Sequence, residues 1–189
     1  MTKLFELTRG MNLRRLVEVG VGSLSQLKPF YDSGEYDKIT MVEVRPDIVE
    51  QAKQYYTSDK VEIINIGIAD KNGELEFCID GDTTHMAELP STPVHFHGRE
   101  YSKEPVKLPV VRFTEIEPFM IDLLAVDIEG GEWFVIKHMK NRPKVISLET
   151  HSSVTPYRNP YFNEIQVWMY LNRYEIIYKD VSDTIYKKK

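Results

Sequence analysis

The stretch Leu16-Val17-Glu18-Val19-Gly20-Val21-Gly22-Ser23 decides the fold. An apolar run ends beside an acid and two alternate glycines, a pattern that is typical of a buried parallel strand, a tight turn and a following helix. Glycine lets a ligand approach the backbone because no Cβ stands in the way. The N–H groups at the start of the next helix face the same point. The turn is therefore a candidate nucleotide site.

Apolar runs and helical patterns alternate along the rest of the chain. We predict strands at 16–19, 39–43, 61–66, 74–79, 106–111, 121–126 and 145–148, and helices at 24–31, 46–56, 130–139 and 163–171, the last capped by Asn163. A terminal hairpin is predicted over 174–178 and 184–186. The alternation indicates an α/β fold, with a Rossmann-like, doubly wound and mostly parallel sheet. The segment 81–105 breaks the rhythm and is predicted to be a long loop or lid.

The composition fits one globular domain over 1–189. Of its 189 residues, 42% are hydrophobic and 28% charged, and the formal net charge of −5 gives no reason to expect a nucleic-acid or membrane partner. No apolar run approaches the roughly 20 residues of a membrane helix, and the first residues do not resemble a signal peptide. We therefore expect a cytoplasmic protein, either complete or joined to other domains of a longer enzyme.

Ligands of such sheets bind beyond the carboxyl ends of the parallel strands. The residues at those ends are 18–23, 43–45, 67–70, 127–132 and 149–151. They include the acids Glu18, Glu43, Asp127 and Glu149.

The acids and glycines favour one cofactor class. Glu43 follows the glycine turn at the distance expected for an acid that binds ribose hydroxyls. A dinucleotide site would need a third glycine, which Gly20-Val21-Gly22-Ser23-Leu24-Ser25 lacks, and Glu18 would repel a pyrophosphate. A phosphate-free ligand with positive groups, such as S-adenosyl-L-methionine, suits both acids. The alternatives are that Glu18 caps a helix and that Glu43 pairs with Arg45 or a lysine.

One segment of the sequence is specific enough to be compared with a known family. The run Leu123-Leu124-Ala125-Val126-Asp127-Ile128-Glu129-Gly130-Gly131-Glu132, followed by Val145-Ile146-Ser147-Leu148-Glu149, resembles the signature of FkbM-type methyltransferases, within the class I methyltransferase superfamily. The Asp-x-Glu-Gly-x-Glu piece carries this resemblance. Val42-Glu43 and Asn65 to Gly73 resemble the second-strand acid and third-strand turn of the family.

The resemblance implies a seven-stranded sheet with an antiparallel last strand, S-adenosyl-L-methionine as methyl donor, and O-methylation of sugars or glycosylated compounds. It also implies a placement of the donor: the glycine turn around its methionine part, Glu43 on ribose, Ile68 to Asp70 near adenine, and Asp127 near the methyl group. The chain departs from the family in Val44-Arg45-Pro46, where a proline commonly follows the acid at once. The predicted cofactor-binding residues are Glu18, Gly20, Gly22, Ser23, Glu43, Val44, Arg45, Gly67, Ile68, Ala69, Asp70 and Asp127.

Transfer to a hydroxyl needs a base, which typically contributes about 10²–10⁴-fold in rate. His151 or Asp127, with Glu129 beside it, is the candidate catalytic group; alternatively His151 only hydrogen-bonds its loop. The clustered carboxylates could bind Mg²⁺ or raise one another's pKa, and Glu132 could simply begin a helix. We expect no required metal.

The acceptor is predicted to contact Glu129, Glu149, His151, Tyr157 and Tyr161. The aromatic rings could pack on a sugar or fill the core. His85 and Met86 could cover the cofactor or pack within their loop, and His95 and His97 are interpreted as an exposed loop pair rather than a metal site.

The sequence thus predicts a methyltransferase that acts on a hydroxyl of a sugar, a glycan or a glycosylated small molecule. The alternatives are a nicotinamide-dependent oxidoreductase on the same architecture and a binding module without catalysis.

Overall fold

The computed structural model describes residues 2–23, 25–81, 83–89, 104–151 and 158–189. The helices are α1 (Lys3–Thr8), α2 (Lys28–Ser33), α3 (Pro46–Tyr55), α4 (Glu132–His138) and α5 (Phe162–Leu171). The strands are β1 (Arg15–Val19), β2 (Lys38–Glu43), β3 (Val61–Asn65), β4 (Gly67–Ile68), β5 (Gly73–Asp80), β6 (Thr83–Met86), β7 (Val106–Val111), β8 (Leu123–Val126), β9 (Val145–Glu149), β10 (Tyr174–Lys179) and β11 (Asp183–Lys188).

The main sheet has seven strands in the order β10-β11-β9-β8-β1-β2-β3. The five strands from β9 to β3 are parallel, and β11 runs antiparallel to both β9 and β10. The predicted mostly parallel sheet with its C-terminal hairpin is therefore confirmed. The chain order reverses between β1 and β8, which is the position where open α/β sheets bind ligands.

Apolar side chains alternate between the two faces of this sheet. Leu124 and Val126 of β8 pack on one face with residues of α4 and α5, such as Ile136 and Ile165. Leu123 and Ala125 pack on the opposite face, together with the buried residues of the first three helices: Leu4, Phe30, Ile48 and Ala52. Burial on both faces explains why β8 and β9 are almost continuously apolar.

A second sheet of four strands, in the order β4-β7-β5-β6, is built from the segment between β3 and β8. The sequence predicted β5 and β7, although not their pairing. The prediction of a loop from residue 81 onward is wrong for Thr83–Met86, which form β6 and pair antiparallel with β5. Most of the remaining segment, with His95 and His97, lies outside the described residues.

The helices differ from the predictions in three respects. The helix expected from residue 24 begins only at Lys28, since the Glu18 carboxylate holds Ser25 and Gln26 outside it. Asn163 does not cap α5; the turn before this helix is closed by Asn159, which accepts from the N–H of Tyr161 and of Phe162. α1 was not predicted. Among the described helices, none has the length and apolarity needed to cross a bilayer.

The end of β1 depends on Gly20, which has a φ of +84°. A Cβ added to Gly20 would lie 1.7 Å from the carbonyl oxygen of Asp127. We predict that Gly20→Ala prevents folding or lowers the free energy of unfolding by at least about 3 kcal/mol, because left-handed strain and a backbone clash add.

Gly10→Ala is the matched control, because Gly10 has the same φ of +84° and open space around its Cβ position. It should cost only the left-handed conformation, about 1–2 kcal/mol. Urea denaturation measures both variants, and equal losses would contradict the assigned backbone contact.

Candidate functional site

A cavity of about 250 Å³ opens at the carboxyl ends of β1, β2 and β8. Its walls come from the glycine turn, the segment after β2, the β3–β4 connection, the β5–β6 hairpin and the segment after β8. Its lining residues are Glu18, Val19, Gly20, Val21, Gly22, Ser23, Gln26, Val42, Glu43, Val44, Arg45, Ile48, Ile66, Gly67, Ile68, Phe77, Thr83, Thr84, Met86, Asp127, Ile128 and Glu129.

Most predicted site residues line this cavity. They are Glu18, Gly20, Gly22, Ser23, Glu43, Val44, Arg45, Gly67, Ile68, Asp127 and Glu129. Ala69, Asp70, Glu149, His151 and Tyr161 are not among its lining residues, and Tyr157 lies outside the described residues.

Glu43 ties the glycine turn to the end of β2. Its Oε2 accepts from the N–H groups of Val21 and Gly22, at 2.9 and 3.2 Å, and its Oε1 accepts from the N–H of Arg45 at 2.9 Å. A carboxylate oxygen has two acceptor positions, so Oε1 retains one for a ligand. The acid therefore shapes the turn and can still accept a hydroxyl from the cavity.

Glu18 lies at the end of β1 and is 1% exposed. Its two oxygens accept from the Ser25 hydroxyl and the Gln26 N–H, both at 2.5 Å, in the segment before α2; Glu18 does not cap this helix, whose N-cap is Leu27. Burial nevertheless raises the pKa of Glu18 to about 8. The acid also lines the cavity, where a positive group would favour its charged form.

Asp127, Glu129 and Glu149 form an acidic cluster at the ends of β8 and β9. Each places a carboxylate oxygen within 4.8 Å of the others. Burial raises the pKa of Glu129 to about 8, and burial followed by the charge of Asp127 raises the pKa of Glu149 well above its usual range. Burial also raises the pKa of Asp127, against the opposing effect of its hydrogen bond with Glu149. This arrangement can share protons or hold a hard cation.

His151 adjoins the cluster without lining the cavity. Its Nε2 lies 3.0 Å from Oε1 of Glu149, and its backbone has a φ of +43°. The N–H groups of Thr150 and His151 both donate to the carbonyl of Ser182, in the turn between β10 and β11. The C-terminal hairpin thus fixes the segment that carries His151.

Glu132 begins α4 and is fully buried. Its Oε1 accepts from the N–H groups of Ile128 and Gly130, and its Oε2 accepts from the Asn159 amide. Burial raises the pKa of Glu132 to about 7 despite these donors. The last acid of Asp-x-Glu-Gly-x-Glu therefore fastens the segment that presents Asp127 and Glu129.

Two predicted site residues are engaged elsewhere. Asp70 accepts from Lys137 Nζ at 2.9 Å and lies 2.6 Å from His138 Nε2, and the Lys137 ammonium lowers its pKa. Tyr161 packs on Phe134 with ring centroids 5.2 Å apart, which matches the packing alternative.

Sequence reasoning missed the contribution of the β5–β6 hairpin. Phe77, Thr83 and Thr84 line the cavity, and Met86 was given only as one of two alternatives. No local signal identifies these residues, because their position depends on a second sheet. Asp183 was also missed: β11 pairs it with Glu149, and burial raises its pKa to about 6.

Solved structures share this fold at low identity. A proposed caffeoyl-CoA O-methyltransferase from Staphylococcus aureus superposes with a TM-score of 0.58 at 14% identity, over 98% of this chain and 81% of that one. TrmK of M. capricolum, solved with S-adenosyl-homocysteine, superposes with a TM-score of 0.51 at 10% sequence identity, over 100% of this chain and 69% of that one. A proposed RNA methyltransferase from Pyrococcus horikoshii superposes with a TM-score of 0.52 at 8% sequence identity, over 98% of this chain and 78% of that one.

No curated protein sequence matches the chain. The family model described as the methyltransferase FkbM domain, in contrast, matches residues 22–176. The match includes Asp127 to Glu132, Glu149 and Glu43, the acid that ends β2. The chain therefore belongs to the FkbM methyltransferase family.

Proposed function

We propose that this methyltransferase transfers the methyl group of S-adenosyl-L-methionine to a hydroxyl oxygen of a sugar, a glycan or a glycosylated small molecule. The observation that carries the proposal is the position of Asp127, which lines the cavity and is hydrogen-bonded to Glu149 beside His151. When bound, S-adenosyl-L-methionine supplies a methyl group on a positively charged sulfur.

The cavity residues fit this cofactor. The cavity volume of about 250 Å³ lies just below the range of typical small-molecule sites, roughly 300–1,000 Å³. A Cβ on Gly67 would approach the side chains of Val44 and Val110 to 2.9 Å, so a side chain at this position would displace one of them from the cavity wall. Glu43 can accept a ribose hydroxyl, and Glu18 supplies negative charge for an ammonium group. Both acids suit a cationic ligand better than a pyrophosphate.

The chain's own residues would position the acceptor and take its proton. Asp127 is favoured as the base over His151. Asp127 lines the cavity, whereas His151 does not line it and contacts Glu149. A carboxylate with a raised pKa accepts a proton more readily near neutral pH. We propose that no metal is required, because burial raises the pKa of Asp127, Glu129 and Glu149 and so favours their neutral forms, whereas a cation would need them charged.

The acceptor class is tested by incubating the protein with methyl-labelled S-adenosyl-L-methionine and a panel of sugars, glycans, glycosylated small molecules, nucleosides and RNA. Mass spectrometry then locates the methyl group. We expect O-methylation of a saccharide hydroxyl, with activity retained in EDTA. Methylation of a nitrogen or of RNA would overturn the proposed acceptor, and binding of NAD in place of the cofactor would overturn the reaction.

The base is tested by Asp127→Asn and His151→Ala. We predict that Asp127→Asn lowers kcat by about 10²–10⁴-fold, while His151→Ala has a smaller effect because its contact is indirect. His138→Ala is the matched control, since His138 binds Asp70 away from the cavity. A larger loss for His151→Ala than for Asp127→Asn would transfer the role of base to His151.

The raised pKa values of Glu18 and Glu129, both about 8, predict a pH dependence. A bound cation favours the charged carboxylates, so affinity for S-adenosyl-L-methionine should rise with pH up to about 8, with proton release. S-adenosylhomocysteine lacks the sulfonium charge and should show a shallower rise. Calorimetry in buffers of different ionisation enthalpy measures both, and an affinity that falls with pH would contradict the assignment.

The same raised pKa values predict how the stability of the cofactor-free protein depends on pH. A folded-state pKa above the unfolded value of about 4.3 means that the folded state binds more protons. The stabilisation from Glu18 and Glu129 is therefore present below that value and lost as pH rises through about 8. The melting temperature should fall across this window, and S-adenosyl-L-methionine should reverse part of the loss.

A further inference from the structure

The β5–β6 hairpin forms one wall of the cavity, although it belongs to a different sheet from β1, β2 and β8. Phe77, Thr84 and Met86 of this hairpin line the cavity. The hairpin pairs with β7 and not with any strand of the main sheet. Contacts other than strand pairing therefore connect it to the walls formed by the main sheet.

Arg45 makes such a contact at the turn of the hairpin. Its Nη1 donates to the carbonyl oxygen of Gly81 at 2.6 Å. Nε and Nη2 donate to the two carboxylate oxygens of Asp47, at 3.1 and 2.5 Å, and only 11% of the Arg45 side chain is exposed. The Arg45 guanidinium holds the pKa of Asp47 below its usual range. All three nitrogens of the Arg45 guanidinium group thus donate a hydrogen bond.

The backbone of Arg45 also contacts the opposite wall of the cavity. Its N–H donates to Oε1 of Glu43, whose Oε2 accepts from the N–H groups of Val21 and Gly22. One residue therefore joins the hairpin turn, the end of β2 and the glycine turn. The departure from the family pattern, an arginine before Pro46, lies where these three walls meet.

We propose that Arg45 is a positioning residue that holds the β5–β6 hairpin against the cavity through Gly81 and thereby slows release of the cofactor. The proposal rests on the proposed function for the identity of that cofactor. An arginine suits the role because its planar fork binds a carboxylate with two bonds while a third donor reaches the carbonyl. A lysine could reach Gly81 but could not reproduce the fork.

The experiment compares wild type, Arg45→Ala and Arg45→Lys, with Lys53→Ala as the control. Lys53 forms an exposed pair with Glu50 on the same helix, α3, away from the cavity. Stopped-flow displacement measures the release rate of S-adenosylhomocysteine. Hydrogen exchange of the ligand-free protein measures protection of the β5 and β6 amides.

We expect Arg45→Ala to release S-adenosylhomocysteine about tenfold faster. A tenfold change in rate is the effect expected from losing one charged hydrogen bond. Its association rate should be unchanged, and faster amide exchange should be confined to the hairpin. Arg45→Lys should recover part of both effects, and Lys53→Ala should match wild type.

Unaltered release and hairpin exchange in Arg45→Ala would overturn the role of Arg45. Faster exchange spread over the seven-stranded sheet would overturn it too, because it would indicate general destabilisation. Failure of the wild type to bind S-adenosylhomocysteine would instead overturn the cofactor in the proposed function. In that case the exchange data still decide whether Arg45 holds the hairpin.

Discussion

The structure depends on the close approach of two backbone segments, Gly20 after β1 and Asp127 after β8. The N–H of Asp127 donates to the carbonyl of Val19, and the N–H of Gly20 donates to that of Val42. These bonds extend the sheet ladder one residue beyond the strands, up to the floor of the cavity. Only a residue without a Cβ allows this approach. Every distance between the glycine turn and the acidic cluster follows from it.

Burial of carboxylates is the second constraint. Several acids lie at this edge of the sheet, and their hydrogen-bond donors divide them into two groups. Glu43 and Glu132 accept several backbone N–H groups, so they fasten chain segments. Asp127, Glu129 and Glu149 have few donors and share one small volume. Negative charge without donors is costly in a buried site, which favours a proton or a cationic ligand there.

The sequence predicted what local patterns encode. Apolar runs identified β1, β2, β8 and β9, and the acids at the ends of β1, β2 and β8 identified part of the cavity lining. It could not predict the second sheet, because pairing of β5 with β6 and β7 is a long-range contact with no local signal. The predicted position of Asp70 near a ligand assumed only its place in the chain. Its ion pairs with Lys137 and His138, 67 and 68 residues away, come from tertiary packing.

The carbonyl of Ser182 accepts from both Thr150 and His151, so the turn between β10 and β11 carries the segment next to the acidic cluster. The glycine turn, in contrast, is fastened by Glu43, which accepts from the N–H groups of Val21 and Gly22, and these bonds do not involve the C-terminal hairpin. In the proposed function, changes in the C-terminal hairpin are therefore expected to move the His151 segment more than the glycine turn. We expect, on this basis, that the proposed acceptor site can diverge while the cofactor site stays the same.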